Sequence, residues 1–233
     1  MDETRKPESP WELMGLLFKA HPWHGIAVGP EAPEIVTTFI EIVPTDTVKY
    51  EIDKASGHLK VDRPQKYSNV CPTLYGFIPQ TYCGSRVAAL TQERTGVPTV
   101  RGDADPLDIC VLSEKSFSHG DILLQAVPVG GLRLLDREEA DDKIIAVLKG
   151  DAAFGHCREL SELPGALIDR LVHYFLTYKR PPGEEGTPVM NAGIYGRADA
   201  WEVIQRSRED YQALFPDLQR RFLDSLRGVG SPG

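Results

Sequence analysis

An alternation with period two over residues 37–63 limits what this chain can fold into more than any other feature. Ile40 and Ile42 alternate with Phe39, Glu41 and Val43, and Val48, Tyr50 and Ile52 alternate with Lys49, Glu51 and Asp53. Successive side chains of a strand point to opposite faces, so the two segments read as strands joined by a turn at 44–47. A second turn at 54–57 leads to a third strand in which Leu59, Val61 and Arg63 share a face, giving three consecutive antiparallel strands. Short apolar runs at 107–113, 122–129, 132–136 and 143–148 are each closed by Gly, Pro or acidic residues. Many short strands at this spacing predict a closed barrel.

The period then changes. Leu167, Leu171, Tyr174, Phe175 and Tyr178 recur at helical spacing, as do Ala200, Val203, Ile204, Ser207 and Tyr211, which predicts two amphipathic helices packed on the barrel. The polar, Pro- and Gly-rich stretch 180–196 reads as a loop between them, and the tail after Phe222 as frayed. Residues 1–34 are rich in Pro and Gly around an apolar patch at 11–18 that predicts one or two helical turns. No linker divides the 233 residues, so the expected organisation is an extension at 1–34, one domain at 35–226 and a flexible tail at 227–233.

The formal net charge of −8 argues against broad binding to nucleic acid or to an anionic membrane, both of which attract Lys and Arg patches. It also means that an anionic substrate would need cations between itself and the protein. Cys71, Cys83, Cys110 and Cys157 form no C-x-x-C pair, which speaks against a zinc ribbon or a thioredoxin-like motif and for reduced thiols. The opening MDETRKPESP lacks the basic-then-apolar order of a secretory signal, and no run approaches membrane-spanning length, so a cytoplasmic protein is expected.

The strongest local signal is Asp103-Ala104-Asp105-Pro106-Leu107-Asp108, three carboxylates in a turn that runs into an apolar strand. Like charges this close raise one another's pKa, so such a turn holds a hard cation, accepts a proton, or is a solvated acidic cap on a strand. An EF-hand would continue with a central Gly and a final Glu, which do not follow. A second acidic cluster, with Asp136, Glu138, Glu139, Asp141 and Asp142, ends at Lys143. Taken singly it reads as a solvated loop; paired with the first across a barrel, it would hold two or more Mg²⁺ ions on carboxylate oxygens. Lys49, Arg63, Tyr75, Tyr178 and Lys179, each of which alone reads as a surface pair or a core residue, would together compose a phosphate clamp.

These residues occur in an order that resembles the soluble family I inorganic pyrophosphatases. The matching segments are Phe39-Ile40-Glu41-Ile42, Lys49-Tyr50-Glu51-Ile52-Asp53, Val61-Asp62-Arg63, Tyr75-Gly76-Phe77-Ile78, the run from Asp103 to Asp108, the run from Asp136 to Lys143, and Tyr178-Lys179. The resemblance implies an α+β fold, mainly β, in which a five-stranded OB-like closed barrel carries C-terminal helices and an active site at its mouth. It implies Mg²⁺-dependent hydrolysis of pyrophosphate to phosphate by a homo-oligomer that uses several ions per site. In that reading Asp103, Asp108 and Asp141 hold the metals that ionise the attacking water, and Asp136 and Glu41 serve further metal positions. Asp105 is the general base, and Lys49, Arg63, Tyr75, Lys143, Tyr178 and Lys179 hold phosphate oxygens.

Two positions depart from the family pattern. Ala104 stands where Gly is usual, which costs ~1–2 kcal/mol if the turn needs positive φ. Cys71 stands where Tyr is frequent, so one phenolic contact is missing or supplied by another residue. The segment 79–102 is longer than in compact bacterial members and reads as a lid or an oligomer contact. The six histidines are scattered and read as structural or surface residues. Two rivals stay open: hydrolysis of another phosphoanhydride such as a nucleoside triphosphate, and a barrel-type binding module without activity.

Overall fold

The computed structural model describes residues 18–66, 68–179 and 189–229, without the side chains of Gln219 and 226–229. The apolar patch at 11–18 and the first half of the 180–196 stretch therefore fall almost wholly outside the described residues.

Five strands close a ring: β1 (Val36–Ile42), β4 (Leu74–Phe77), β6 (Asp108–Leu112), β9 (Lys143–Leu148) and β7 (Ile122–Asp136), with β7 pairing back onto β1. All contacts in the ring are antiparallel except β6 with β9, which run parallel. Two-residue strands β5 (Arg101–Gly102) and β8 (Glu139–Ala140) extend the sheet beyond β7. The α+β barrel class is as the sequence implies.

Alternate residues of the central strands feed two cores, which is why β6 and β9 are apolar throughout after their first residues, Asp108 and Lys143, instead of alternating. Ile109, Val111, Ile144 and Ala146 join the core shared with α1 (Ser85–Thr95) and α3 (Arg197–Leu214). Cys110, Leu112, Ile145 and Val147 join the core shared with α2 (Gly165–Thr177), where Leu171 and Phe175 are almost fully buried. A fourth helix, α4 (Leu218–Val229), follows. No helix among the described residues is long and apolar enough to cross a membrane.

The structure departs from the sequence reading at several places, each for a physical reason. The expected run of three consecutive antiparallel strands is broken, because both edges of β1 are taken by β4 and β7; β2 (Val48–Ile52) and β3 (Leu59–Pro64) pair only with each other as a separate ribbon. The runs 122–129 and 132–136 are one continuous strand, β7. Gly130 and Gly131 read as a break, yet they are there for close approach: a Cβ at Gly131 would collide with the Tyr195 ring and one at Gly130 with the Tyr195 carbonyl. Tyr195 belongs to β10 (Val189–Gly196), a strand on β7 where a loop was expected. Regular structure continues past Phe222 to Val229.

The segment 79–102 contains helix α1, and it packs on α3 through Val87 and Leu90 beside Val203 and Ile204. Its N-terminus has no cap of its own. The buried Asp210 carboxylate of α3 accepts bonds from the backbone N–H groups of Gly84, Arg86 and Val87 at 3.0–3.2 Å, satisfying donors that a helix start leaves free.

Candidate active site

The parallel pairing of β6 and β9 brings the two acidic turns together. Asp108 lies opposite Lys143 in register, so the turn that precedes β6 and the loop that precedes β9 open at one end of the barrel. There a cavity of about 530 Å³ is lined by Glu41, Lys49, Tyr75, Asp103, Asp105, Asp108, Asp141, Lys143, Tyr178 and Lys179. Arg63 and Asp136 do not line it. Arg63 turns its guanidinium to Asp62, and Asp136 accepts a bond from Lys179 Nζ at 2.6 Å.

The charges inside are tightly interlocked. Buried Lys143 bridges the carboxylates of Asp108 and Asp141, with the Phe175 and Tyr75 rings 5.6 and 5.9 Å from its ammonium. The Tyr75 hydroxyl donates to Asp108 at 2.6 Å. Burial alone would lower the pKa of Lys143, but Asp108 and Asp141 outweigh it and hold the ammonium well above its ordinary value. Burial raises Asp108. It also pushes Asp103 up to about 8, with Asp141 adding repulsion. Glu41 rises to about 8 through burial and then Asp108, although the Ile52 N–H donates to it at 2.6 Å.

Among the described residues no three His, Cys, Asp or Glu side chains are arranged to hold a metal ion. The same carboxylates instead face lysines: Asp108 and Asp141 share Lys143, Asp105 meets Lys54, and Asp136 meets Lys179. The donor chemistry nevertheless fits a hard divalent cation, since the lining offers carboxylate oxygens with no thiol or imidazole among them. Carboxyls whose charge burial disfavours are groups that a cation would stabilise as anions.

The raised carboxyls fix a pH dependence for the metal-free protein. A carboxyl titrating near ~4 unfolded and about 8 folded binds more protons in the folded state between those values, so stability falls as pH rises. His24, lowered to about 4 chiefly by burial, has the opposite sign, but its effect ends near the ordinary imidazole value of 6.5. Between pH 6.5 and 8 the two carboxyls dominate, and chelator-treated protein is expected to lose about 2 kcal/mol per pH unit. Urea titrations across that range check the slope; stability that rises with pH contradicts it.

Ala104 adopts φ 64°, so the Asp103–Asp105 turn does need the left-handed conformation in which a Cβ is strained. The turn is pinned by the Cys83 backbone, whose N–H donates to Asp105 O at 2.8 Å and whose carbonyl accepts from Ala104 N at 3.1 Å. Ala104→Gly is therefore expected to stabilise the protein by ~1 kcal/mol, a Tm increase of roughly 2–4 °C by calorimetry. An unchanged or lower Tm would show that the strain is relieved elsewhere. Cys71, the other departure, is fully buried with its thiol pushed up to about 11 by burial, and it contacts Tyr174, a phenol that lines the cavity.

Sequence reasoning gave no role to Glu51, Asp53, Lys54 or Lys60, which also line the cavity, or to Asp62. Lys49 donates to Glu51 at 3.1 Å and to Asp62 at 3.0 Å. The signal was present in the alternation, which sets the polar Lys49, Glu51 and Asp53 apart from Tyr50 and Ile52. Helix α1 contributes nothing to the lining, so segment 79–102 does not cover this cavity.

The chain is similar in sequence and in fold to known proteins. The family model described as inorganic pyrophosphatase matches residues 38–212. An inorganic pyrophosphatase of Chlamydia trachomatis serovar L2 is 50% identical over 200 residues, covering 84% of this chain and 96% of that one. Soluble inorganic pyrophosphatase 4 of Arabidopsis thaliana is 35% identical over 202 residues, covering 87% and 83%. The crystal structure of the Thermus thermophilus inorganic pyrophosphatase superposes with a TM-score of 0.69 at 29% identity, covering 83% of this chain and 99% of that one. With a family match over residues 38–212, a relative at half identity and a shared fold all agreeing, the chain belongs to the inorganic pyrophosphatase family.

Proposed function

We propose that the protein hydrolyses inorganic pyrophosphate to two orthophosphates with Mg²⁺ as its cation. The observation that carries this is one cavity in which Asp103, Asp108 and Asp141 meet Lys49, Lys143 and Lys179. Asp103, Asp108 and Asp141 would hold the principal ions, with Glu41 and Asp136 serving further ones. When bound, the cation supplies Lewis-acid activation of water and neutralises phosphoryl charge.

The chain's own residues do the rest. Pyrophosphate is highly anionic, so binding it requires Lys49, Lys143 and Lys179 to exchange carboxylate partners for phosphate oxygens, with the Tyr75 and Tyr178 hydroxyls as neutral donors. Arg63 stands behind Lys49 through Asp62 and reaches the substrate only if its guanidinium leaves that carboxylate. Asp105, half exposed at the cavity wall, accepts the proton of the attacking water. The leaving phosphate departs against ammonium groups instead of bulk water.

Release of two phosphates per pyrophosphate, dependent on Mg²⁺ and faster than release from ATP, is the expected assay result. Preference for ATP, or no turnover at neutral pH with Mg²⁺, would reject the proposal. The same reading takes residues 35–226 as the catalytic unit of a cytoplasmic homo-oligomer, which cell fractionation and sedimentation equilibrium test; the family match at 38–212 falls within that unit.

A further inference from the structure

The β2–β3 ribbon stands outside the barrel sheet, and the turn at its tip overhangs the cavity. At that tip Lys54 places its ammonium against the Asp105 carboxylate and 3.5 Å from the Ala104 carbonyl. The turn itself is tightly built. Asp53 Oδ1 accepts from Ser56 N at 2.9 Å and from Ser56 Oγ at 2.7 Å, and Gly57 N donates to Asp53 O at 2.8 Å.

The turn is also held from behind. His21 Nε2 lies 3.2 Å from the Lys54 carbonyl, while Trp23 N–H approaches His21 Nδ1 at 3.2 Å. A carbonyl accepts only and a backbone N–H donates only, so Nε2 carries the proton and Nδ1 is the acceptor. The His21 ring packs so close to the turn that a Cβ at Gly57, already at φ 75°, would come within 2.9 Å of it. Trp23 in turn is anchored to the barrel by Nε1, which donates to Thr81 O at 2.7 Å, and by the cluster with Phe39, Ile52, Phe77 and Tyr211.

We infer that Lys54 is a further substrate-binding residue, which caps Asp105 in the free enzyme and passes its ammonium to a phosphoryl group of the diphosphate, with His21 as its positioning residue. This rests on the pyrophosphate reading of the cavity. Two magnitudes favour the exchange. The Lys54–Asp105 pair is half exposed on both sides, 50% and 50%, where such pairs contribute only ~0–1 kcal/mol and are easily released. A diphosphate presents several negative charges where Asp105 presents one, so the ammonium gains by moving.

The experiment compares wild type with Lys54→Ala, Lys54→Arg, His21→Ala and the His21→Ala/Lys54→Ala pair. It reads KM and kcat for pyrophosphate, and calorimetric affinity for methylenediphosphonate in Mg²⁺. Loss of one charge-assisted contact is expected to raise KM about 10-fold and weaken the diphosphonate about equally in Lys54→Ala, with Lys54→Arg recovering most of both. His21→Ala should move KM in the same direction by a smaller factor and add nothing in the Lys54→Ala background. Lys54→Ala with KM and diphosphonate affinity at wild-type values, or with a raised kcat alone, would overturn the inference and leave Lys54 as a mask on Asp105. Wild-type protein that binds the diphosphonate but does not turn over pyrophosphate would instead overturn the hydrolase reading beneath it.

Discussion

Asp105→Asn is expected to lower kcat for pyrophosphate by about 10²–10⁴ while Mg²⁺ affinity stays near wild type. The amide has the shape of the carboxylate but cannot take a proton at neutral pH. The turn should survive the change, because Asp105 is held through its main chain: its N–H donates to Asp103 Oδ1 at 3.0 Å and its carbonyl accepts from Cys83 N at 2.8 Å. Steady-state rates paired with calorimetric Mg²⁺ titration separate the two effects. A rate equal to wild type would remove Asp105 from the base role, and a lost Mg²⁺ affinity would make it a ligand instead.

Lys143→Met should have the largest effect on stability, and one that depends on metal. The Lys143 ammonium is the shared partner of Asp108 and Asp141 on the inside of the barrel end. Removing one member of a buried charge group leaves the others uncompensated, typically at a cost of roughly 3–5 kcal/mol, and about 3 here because the carboxyls can protonate. Divalent cations would replace part of the lost positive charge. Urea unfolding with chelator should therefore show a large loss, and unfolding in saturating Mg²⁺ a smaller one. Equal loss in both conditions would mean that the ammonium and the cations do not compete for the same carboxylates.

How far the fold was legible follows from what kind of information each element needed. The acidic turns were visible because each precedes an apolar run, Asp108 before Ile109 and Asp141 before Ile144. Their convergence was not, since it depends on the parallel register of Asp108 with Lys143, and chain order does not name strand partners. The same limit explains the separated β2–β3 ribbon: alternation reveals a strand but not which edge it finds. Strand β10 and helix α1 were missed for another reason. Ala192, Gly193 and Asn191 carry little strand propensity, and α1 is stabilised by contacts from outside itself, with its start capped by Asp210 some 120 positions away, so local pattern underestimates both. Gly130 and Gly131 misled because glycine marks a turn and a close approach with the same letter.

The candidate site was legible in outline and incomplete in detail. Residue types with strong chemistry in short runs, such as Asp103 to Asp108, announce themselves. Lys54 does not, because a lysine beside a turn is ordinarily a solvated residue, and only the approach of the ribbon tip to Asp105 gives it a function. Ala104 is the converse: the sequence posed the question of its backbone conformation, and only φ 64° answers it.

The central claim is that carboxylates distant along the chain grip the cations that serve the diphosphate. Crystals soaked in Mn²⁺, with data collected at the manganese edge, test it most directly. Anomalous peaks in the cavity, coordinated by Asp103, Asp108 and Asp141 with the Lys143 ammonium displaced from between the latter two, are the predicted result. Peaks confined to other surfaces, with Lys143 still bridging Asp108 and Asp141, would contradict it.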